Sequence, residues 1–270
     1  MPALIVGSKS DPAATNIAEK LVANFGFKYL TENAEKTVFE KGDILLLQVY
    51  GDVLDMHDAD MSYDAEAIVC ISRHSSESGR PTLTTHVPGN TGRSNRFGGF
   101  PRALALADPQ RLQSALNALL ESANQLGLRE YSVSLEATHH GPTGLHAPVL
   151  FVEIGSTSQQ WISAKAAEAA AEAALKAAAE RGVGKSAVGF GGGHYSPKHT
   201  AAVAEGDFAI GHILPDYFFQ EYDPYVVDQA FSRTLGGCDT AVIDWKGLKS
   251  PARKKLVSTL EKMNISLVRI

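Results

Sequence analysis

Apolar residues in this chain come in short continuous runs, and between the runs they recur every three or four positions. Residues 3–6 are such a run and predict a buried strand. Asp11 follows as a helix N-cap with Pro12 at the first helical position. Ile17, Leu21 and Phe25 share one face of that helix, which Gly26 ends. Residues 44–49, bounded by Gly42-Asp43 and Gly51-Asp52, predict a central strand buried on both faces, and residues 67–72 repeat the pattern. β-branched threonines predict a strand over 82–86, Pro109 opens a helix through Leu126 that stops at Gly127, and strands follow over 133–136 and 149–154. Thr157 and Gln160 form a capping box ahead of an alanine-rich helix ending at Arg181-Gly182. Strands over 187–190, 208–213 and 241–245 then alternate with helices over 224–235 and 251–263, and 265–270 predicts a last strand.

Strand–helix alternation along the whole chain predicts an α/β fold with a mixed, mostly parallel central sheet flanked by helices. No linker or repeat interrupts it, so residues 1–270 are expected to form a single α/β domain. One stretch departs from the pattern. Residues 87–102 hold Pro88, Gly89, Gly92, Gly98 and Gly99 beside Arg93, Asn95 and Arg96. An irregular loop of that length in a compact domain is expected to be functional.

Composition changes this picture little. Hydrophobic residues at 44% and charged residues at 20% are ordinary for a soluble globular chain. No apolar stretch approaches the length of a membrane span. The first residues lack a basic leader, and their apolar run is too short for a signal sequence. Cys70 and Cys238 read as buried thiols rather than a disulfide framework, which fits a cytoplasmic location. A net charge of −5 argues against wholesale coating of nucleic acid and leaves room for a local basic patch.

The candidate chemistry lies in three histidine-bearing loops that follow predicted strands, where open α/β sheets bind ligands. The first contains Arg73, His74 and Arg80 and leads to His86: a base or metal ligand next to guanidiniums suited to phosphate or carboxylate. The second is Glu136-Ala137-Thr138-His139-His140-Gly141-Pro142. Adjacent residues of an extended chain point in opposite directions, so one of His139 and His140 is expected to face the cleft. Glu136 and a histidine here would suit zinc, or an oriented general base. Glu153, in an apolar run, must be paired if buried, or solvated at a sheet edge. In the third loop, Gly191, Gly192 and Gly193 precede His194, Tyr195 and Lys198, and their backbone N–H groups would suit an oxyanion. His212 reads as a satisfied core histidine. Lys246, Lys249, Arg253, Lys254 and Lys255 form a basic run entering the last helix, a solvated face by default or a contact to phosphate backbone.

Five segments taken in order are more specific than any one. Residues 72–90 (SRHSSESGRPTLTTHVPGN), 136–142 (EATHHGP), 151–161 (FVEIGSTSQQW), 189–197 (GFGGGHYSP) and 211–215 (GHILP) resemble the D-aminoacyl-tRNA deacylases of the archaeal and plant type. Leu4-Ile5-Val6-Gly7-Ser8 with Asp11-Pro12-Ala13 also resembles the start of that family. The resemblance implies a proofreading esterase that frees tRNA from a D-amino acid. It further implies zinc association, a monomer, and an α/β core similar to phosphorylase/hydrolase-like or peptidyl-tRNA-hydrolase-like folds. The resemblance fixes motifs better than roles; from the chemistry of the residues the metal or base set is expected to be His74, Glu136, His139 or His140, and His194, with His86 and Glu153 as second choices. Gly192 and Gly193 would serve the oxyanion, Arg73, Arg80, His86, Arg93, Arg96, Tyr195 and Lys198 the tRNA end, and Lys254 the more distant backbone. A zinc-dependent peptidase or another small-molecule hydrolase on a related fold is the competing expectation.

Overall fold

Residues 1–57 and 63–270 are described by the structure, a computed structural model. Among them the strands form two sheets. The larger contains β1 (Ala3–Ser8), β2 (Lys28–Glu32), β3 (Lys36–Lys41), β4 (Ile44–Val49), β5 (Ala67–Ser75), β6 (Thr82–His86), β7 (Ser132–Leu135) and β8 (Val149–Ser156). Their order is β2-β3-β4-β1-β5-β8-β6-β7, with the central strands β4, β1, β5 and β8 all parallel. The smaller sheet, in the order β10-β9-β11-β12, is parallel throughout and consists of β9 (Lys185–Phe190), β10 (Phe208–Leu214), β11 (Thr240–Ile243) and β12 (Ser266–Arg269). The expected mixed, mostly parallel architecture is present, divided between two sheets.

The helices follow from local chemistry. α1 (Pro12–Phe25) begins where Asp11 Oδ1 accepts from the Ala13 and Ala14 amides at 2.8 and 3.1 Å, and ends at Gly26 in the left-handed region, φ 77°. It lies close on β1 because position 7 is glycine: a Cβ there would sit 2.8 Å from Ile71 and 3.0 Å from Ala14. α2 (Pro109–Gln125) starts at the Asp108 cap. The Thr157–Gln160 capping box is present but opens only the one-turn α3 (Ser158–Trp161). The alanine-rich α4 (Ala164–Ala179) has its own cap, Ser163, and stops short of the expected Arg181-Gly182. Nine of its alanines are buried, so α1, α2 and the sheet approach it closely. α6 (Pro224–Ser232) and α7 (Ser250–Lys262) fall where the periodicity places them.

Three elements lie outside the expectation. β2 is exposed along its length and pairs antiparallel with β3 at the sheet edge, so its polar residues never show the apolar run of a central strand. β3 shares that register. The short α5 (Pro197–Ala204) directly follows the glycine–histidine loop.

The core runs through both sheets: Ala187, Ile210, Ile213 and Val242 of the smaller one pack into the same cluster as the large central sheet. Two buried histidines brace it. His212, on β10, lies 3.1 Å from the Ala105 carbonyl through Nε2 and 3.3 Å from Thr138 Oγ1 through Nδ1. Thr138 Oγ1 accepts from the Ile213 amide, so its hydroxyl proton goes to Nδ1 and the ring is neutral with its proton on Nε2. His199, on α5, reaches the Val242 carbonyl at 3.1 Å. The core reading of His212 holds.

Burial pushes both imidazoles down to about 4. The folded chain therefore leaves them neutral where the unfolded chain binds protons, near pH 6.5. Their contribution is present above pH 6.5 and is lost as pH falls toward 4, at up to about 1.4 kcal/mol per pH unit for each histidine. Urea unfolding should show that decline, and His212→Gln should make it shallower; an unchanged slope would contradict the assignment.

Candidate functional site

Three adjacent strands of the large sheet supply one face of the site, and the period of two explains which residues. β5 and β8 pair in parallel with Ser72 opposite Glu153 and His74 opposite Gly155, while β8 and β6 pair antiparallel with Thr84 opposite Glu153. Ser72, His74, Glu153, Thr84 and His86 therefore project from the same face. β8 lies between β5 and β6, so Glu153 is interior and buried rather than at an edge, and its Oε1 accepts from Ser72 Oγ at 2.5 Å. Gly155 leaves the room His74 needs: a Cβ there would lie 2.8 Å from the imidazole and 2.4 Å from Thr82 Oγ1.

The segment after β7 joins the two sheets. The Glu136 amide donates to Thr85 on β6, the Ala137 amide to the His194 carbonyl beyond β9, and the Thr138 amide to Ile213 on β10. This path places Glu136 among histidines of both sheets. Its carboxylate is 3.3 Å from His74 Nδ1, 3.8 Å from His86 Nδ1, 3.7 Å from His139 Nε2 and 3.2 Å from His194 Nε2. Both Glu136 oxygens and His86 Nδ1 are buried without a well-aligned hydrogen-bond partner.

Both His139 and His140 line the same cleft, which corrects the expectation that only one would. Alternation requires an extended backbone, and His140 instead has φ 45°, in the left-handed region. That turn brings His140 Nε2 to 3.2 Å from His86 Nε2. His139 Nδ1 is 2.8 Å from the Ala137 carbonyl and His140 Nδ1 is 2.6 Å from the Gly141 carbonyl, which fixes both tautomers and leaves each Nε2 as a lone-pair donor.

The cleft, of about 470 Å³, is walled by His74, His139, His140, His194 and Glu153 together with Arg73, Phe97, Val53, Leu54 and Asp52. Glu136 and His86 are buried behind lining residues, in contact with His194 and His140 respectively. Burial opposes a charge on His74, but Glu153 and Glu136 outweigh it and raise its pKa. Burial likewise opposes ionisation of Glu136, and His194, His139 and His74 overcome it, holding the carboxyl low. Burial, then the neighbouring His140, pushes His139 down to about 3; burial, then His139 and His140, holds His86 well below the ordinary range. The two carboxylates thus favour the charged form of His74, while burial among imidazoles favours the neutral forms of His86 and His139. His74 Nε2 also lies 2.9 Å from the Tyr195 hydroxyl.

Not every predicted residue is brought here. The Gly191 and Gly192 amides donate to the Leu214 and Gly247 carbonyls, so of the three glycines only the Gly193 N–H lacks a carbonyl acceptor among the described residues. The oxyanion role expected of Gly192 is thereby withdrawn. Lys198 is held by Asp244 at 2.5 Å. Arg80 is exposed on its loop, offering its carbonyl to Ser156. Arg93 and Arg96 are exposed on the irregular 87–102 loop, with Arg96 5.4 Å from the ring of the cleft residue Phe97. Lys254 is exposed on α7. Ser72, at the head of the first histidine loop and two residues before His74, lines the cleft with it; Asp52 and Phe97, absent from the expected site, arrive only through tertiary packing.

The ligand atoms of His86, His139 and His140 lie within 4.8 Å of one another, as do those of His74, Glu136 and His194, and of His86, Glu136 and Glu153. Each group could hold a metal ion.

Residues 61–268 match the family model described as D-aminoacyl-tRNA deacylase. The chain belongs to the D-aminoacyl-tRNA deacylase family. It is 38% identical over 274 residues to the D-aminoacyl-tRNA deacylase of Pyrococcus furiosus, covering 98% of this chain and 99% of that one. The D-aminoacyl-tRNA deacylase of Methanosarcina acetivorans is 35% identical, with 98% and 91% covered. Among solved structures, the conserved protein of unknown function AF0625 superposes with a TM-score of 0.89 at 31% identity, covering 99% of this chain and 95% of that one. For this member of the deacylase family, the contact of Gly155 with His74 yields a direct test. Gly155→Ala should displace the imidazole and cost about 1–3 kcal/mol in urea unfolding; a variant as stable as the parent would contradict the close approach.

Proposed function

We propose that this chain hydrolyses the ester between a D-amino acid and the 3′-terminal ribose of tRNA, releasing the free D-amino acid and the tRNA. The observation that supports this most is the match of residues 61–268 to the deacylase family, with the family's histidine loops converging on one cleft in this chain.

The chemistry of an ester hydrolase needs a water made nucleophilic, a charge acceptor for the carbonyl oxygen, and a proton for the departing ribose oxygen. His194 stands on the cleft wall with Glu136 behind it at 3.2 Å, the arrangement of an imidazole oriented by a carboxylate. It would take the proton from the attacking water as the new carbon–oxygen bond forms. The same proton would pass to the ribose oxygen as the ester bond breaks. His74, its charged form favoured by Glu136 and Glu153, faces the same space and would stabilise the negative charge growing on the carbonyl oxygen. The Gly193 N–H would be a second donor. Arg73, which lines the cleft and lies 5.6 Å from the Trp161 ring, would meet the terminal phosphate.

Zinc fits the residues present. Among the candidate groups, His86, His139 and His140 suit it best: two have Nδ1 anchored to carbonyl oxygens, and the third points Nδ1 toward Glu136 and Glu153. The 3.2 Å between His86 Nε2 and His140 Nε2 is close to the roughly 3.3 Å separating two nitrogens on a tetrahedral zinc. The orphaned Nδ1 of His86 and oxygens of Glu136 also suit a site with an additional charge. This choice moves His86, a second choice on the sequence, into the ligand set and assigns His74 and His194 to acid–base and electrostatic roles. When bound, zinc supplies Lewis acidity that makes water a better nucleophile at neutral pH.

Cleavage of D-Tyr-tRNA should exceed that of L-Tyr-tRNA by at least about a hundredfold, a ratio that proofreading requires. Equal rates would leave a general esterase. Exhaustive chelation should abolish hydrolysis and added zinc should restore it; a zinc-free protein cleaving at full rate would remove the metal from the account.

A further inference from the structure

Residues 245–270 carry seven lysines and arginines against a single carboxylate, Glu261, in a chain whose net charge is −5. The excess is concentrated at the start of α7 and in the turn before it, where Lys246, Lys249 and Lys254 are exposed. Lys249 is 81% exposed at its side chain, with Asp216 3.9 Å away as a loose partner. Trp245 lies among these cations. Its ring centroid is 3.9 Å from the Arg269 guanidinium and 5.1 Å from that of Arg253, which also donates to the Trp245 carbonyl at 2.6 Å. Guanidiniums stacked on an indole are held in place without losing their outward charge, a combination that suits a sugar–phosphate chain.

This patch is joined to the cleft by backbone contacts. The Gly192 amide donates to the Gly247 carbonyl, the Asp216 amide donates to the Gly192 carbonyl, and the Lys249 amide donates to Asp216 Oδ1 at 3.3 Å. The turn carrying the lysines therefore rests against the glycine loop that presents His194. The turn thus offers cationic surface to the phosphates of an RNA whose 3′ end enters the cleft past His194.

We infer that the turn before α7 and the first turns of α7, with the Arg253–Trp245–Arg269 stack, form the docking surface for the phosphate backbone of the RNA whose 3′ end enters the cleft. The inference rests on the aminoacyl-RNA reading of the cleft and goes beyond it by naming where the rest of the RNA lies. Charge complementarity favours RNA over a protein partner, because lysine is depleted from protein interfaces while an excess of cations, with only Asp216 and Glu261 against it, suits phosphate.

The test pairs an uncharged acceptor-stem minihelix, for binding, with D-Tyr-tRNA and the short ester 3′-D-tyrosyl-adenosine, for hydrolysis. The double variant Lys246→Glu/Lys249→Glu is compared with a charge-matched control at the far edge of the large sheet, Lys28→Glu/Lys41→Glu; unfolding curves show that each is folded. The turn variant should bind the minihelix at least tenfold more weakly than the control. The slope of log affinity against log salt should fall by about two, and the short ester should be cleaved at the parent rate. Binding equal to the control, or equal losses on both esters, would overturn the inference. If the parent binds the minihelix through this surface but cleaves neither ester, the deacylase reading fails and the docking surface stands.

Discussion

A carboxylate removed from water is costly unless opposite charge or well-made hydrogen bonds meet it, and Glu136 is fully buried at the seam between two sheets. Its neighbours are imidazoles from four stretches of chain: His74 from β5, His86 from β6, His139 from the same turn, and His194 beyond β9. The backbone around Glu136 bonds to Thr85 in one sheet, and that around Ala137 and Thr138 to His194 and Ile213 in or next to the other. The residue that needs compensation therefore sits on the segment that holds the two sheets together, so the site assembles only when both sheets are in place.

That constraint also divides the labour among similar residues. Burial and neighbouring imidazoles bias His86 and His139 toward the neutral form that a metal would need, while Glu136 and Glu153 bias His74 toward the charged form. Environment assigns roles that residue type alone leaves equivalent. The family to which the chain belongs gives these roles an ester to act on, and the proposed docking turn behind Gly192 would give the remainder of the RNA a place to rest.

The inner strands were legible for two reasons: residues 44–49 write β4 as an apolar run, and residues 82–86 write β6 in β-branched threonines, each matching its strand end to end. β2 was not, since an exposed edge strand needs no such run. The alanine-rich stretch was read as one helix from Thr157 because its propensity is uniform; Ser163 restarts it, and a second cap carries little signal beside the first. At the site, the three loops and their histidines were visible one by one. Their convergence was not, because it depends on strand order and on the seam at residues 136–138. His139 and His140 escape strand alternation for a definite reason, the left-handed backbone of His140. The glycine loop misled in the other direction: Gly191 and Gly192 give their N–H groups to carbonyls that no local pattern reveals.

The dependence of the site on one buried charge is most directly measured by replacing Glu136 with glutamine, which keeps the shape and removes the charge. Glu136→Gln should remain folded yet hydrolyse D-Tyr-tRNA at least about a hundredfold more slowly than the parent, with the pKa of His74, followed by NMR, moving down toward its ordinary value. A variant with parental turnover and an unshifted His74 would contradict the account.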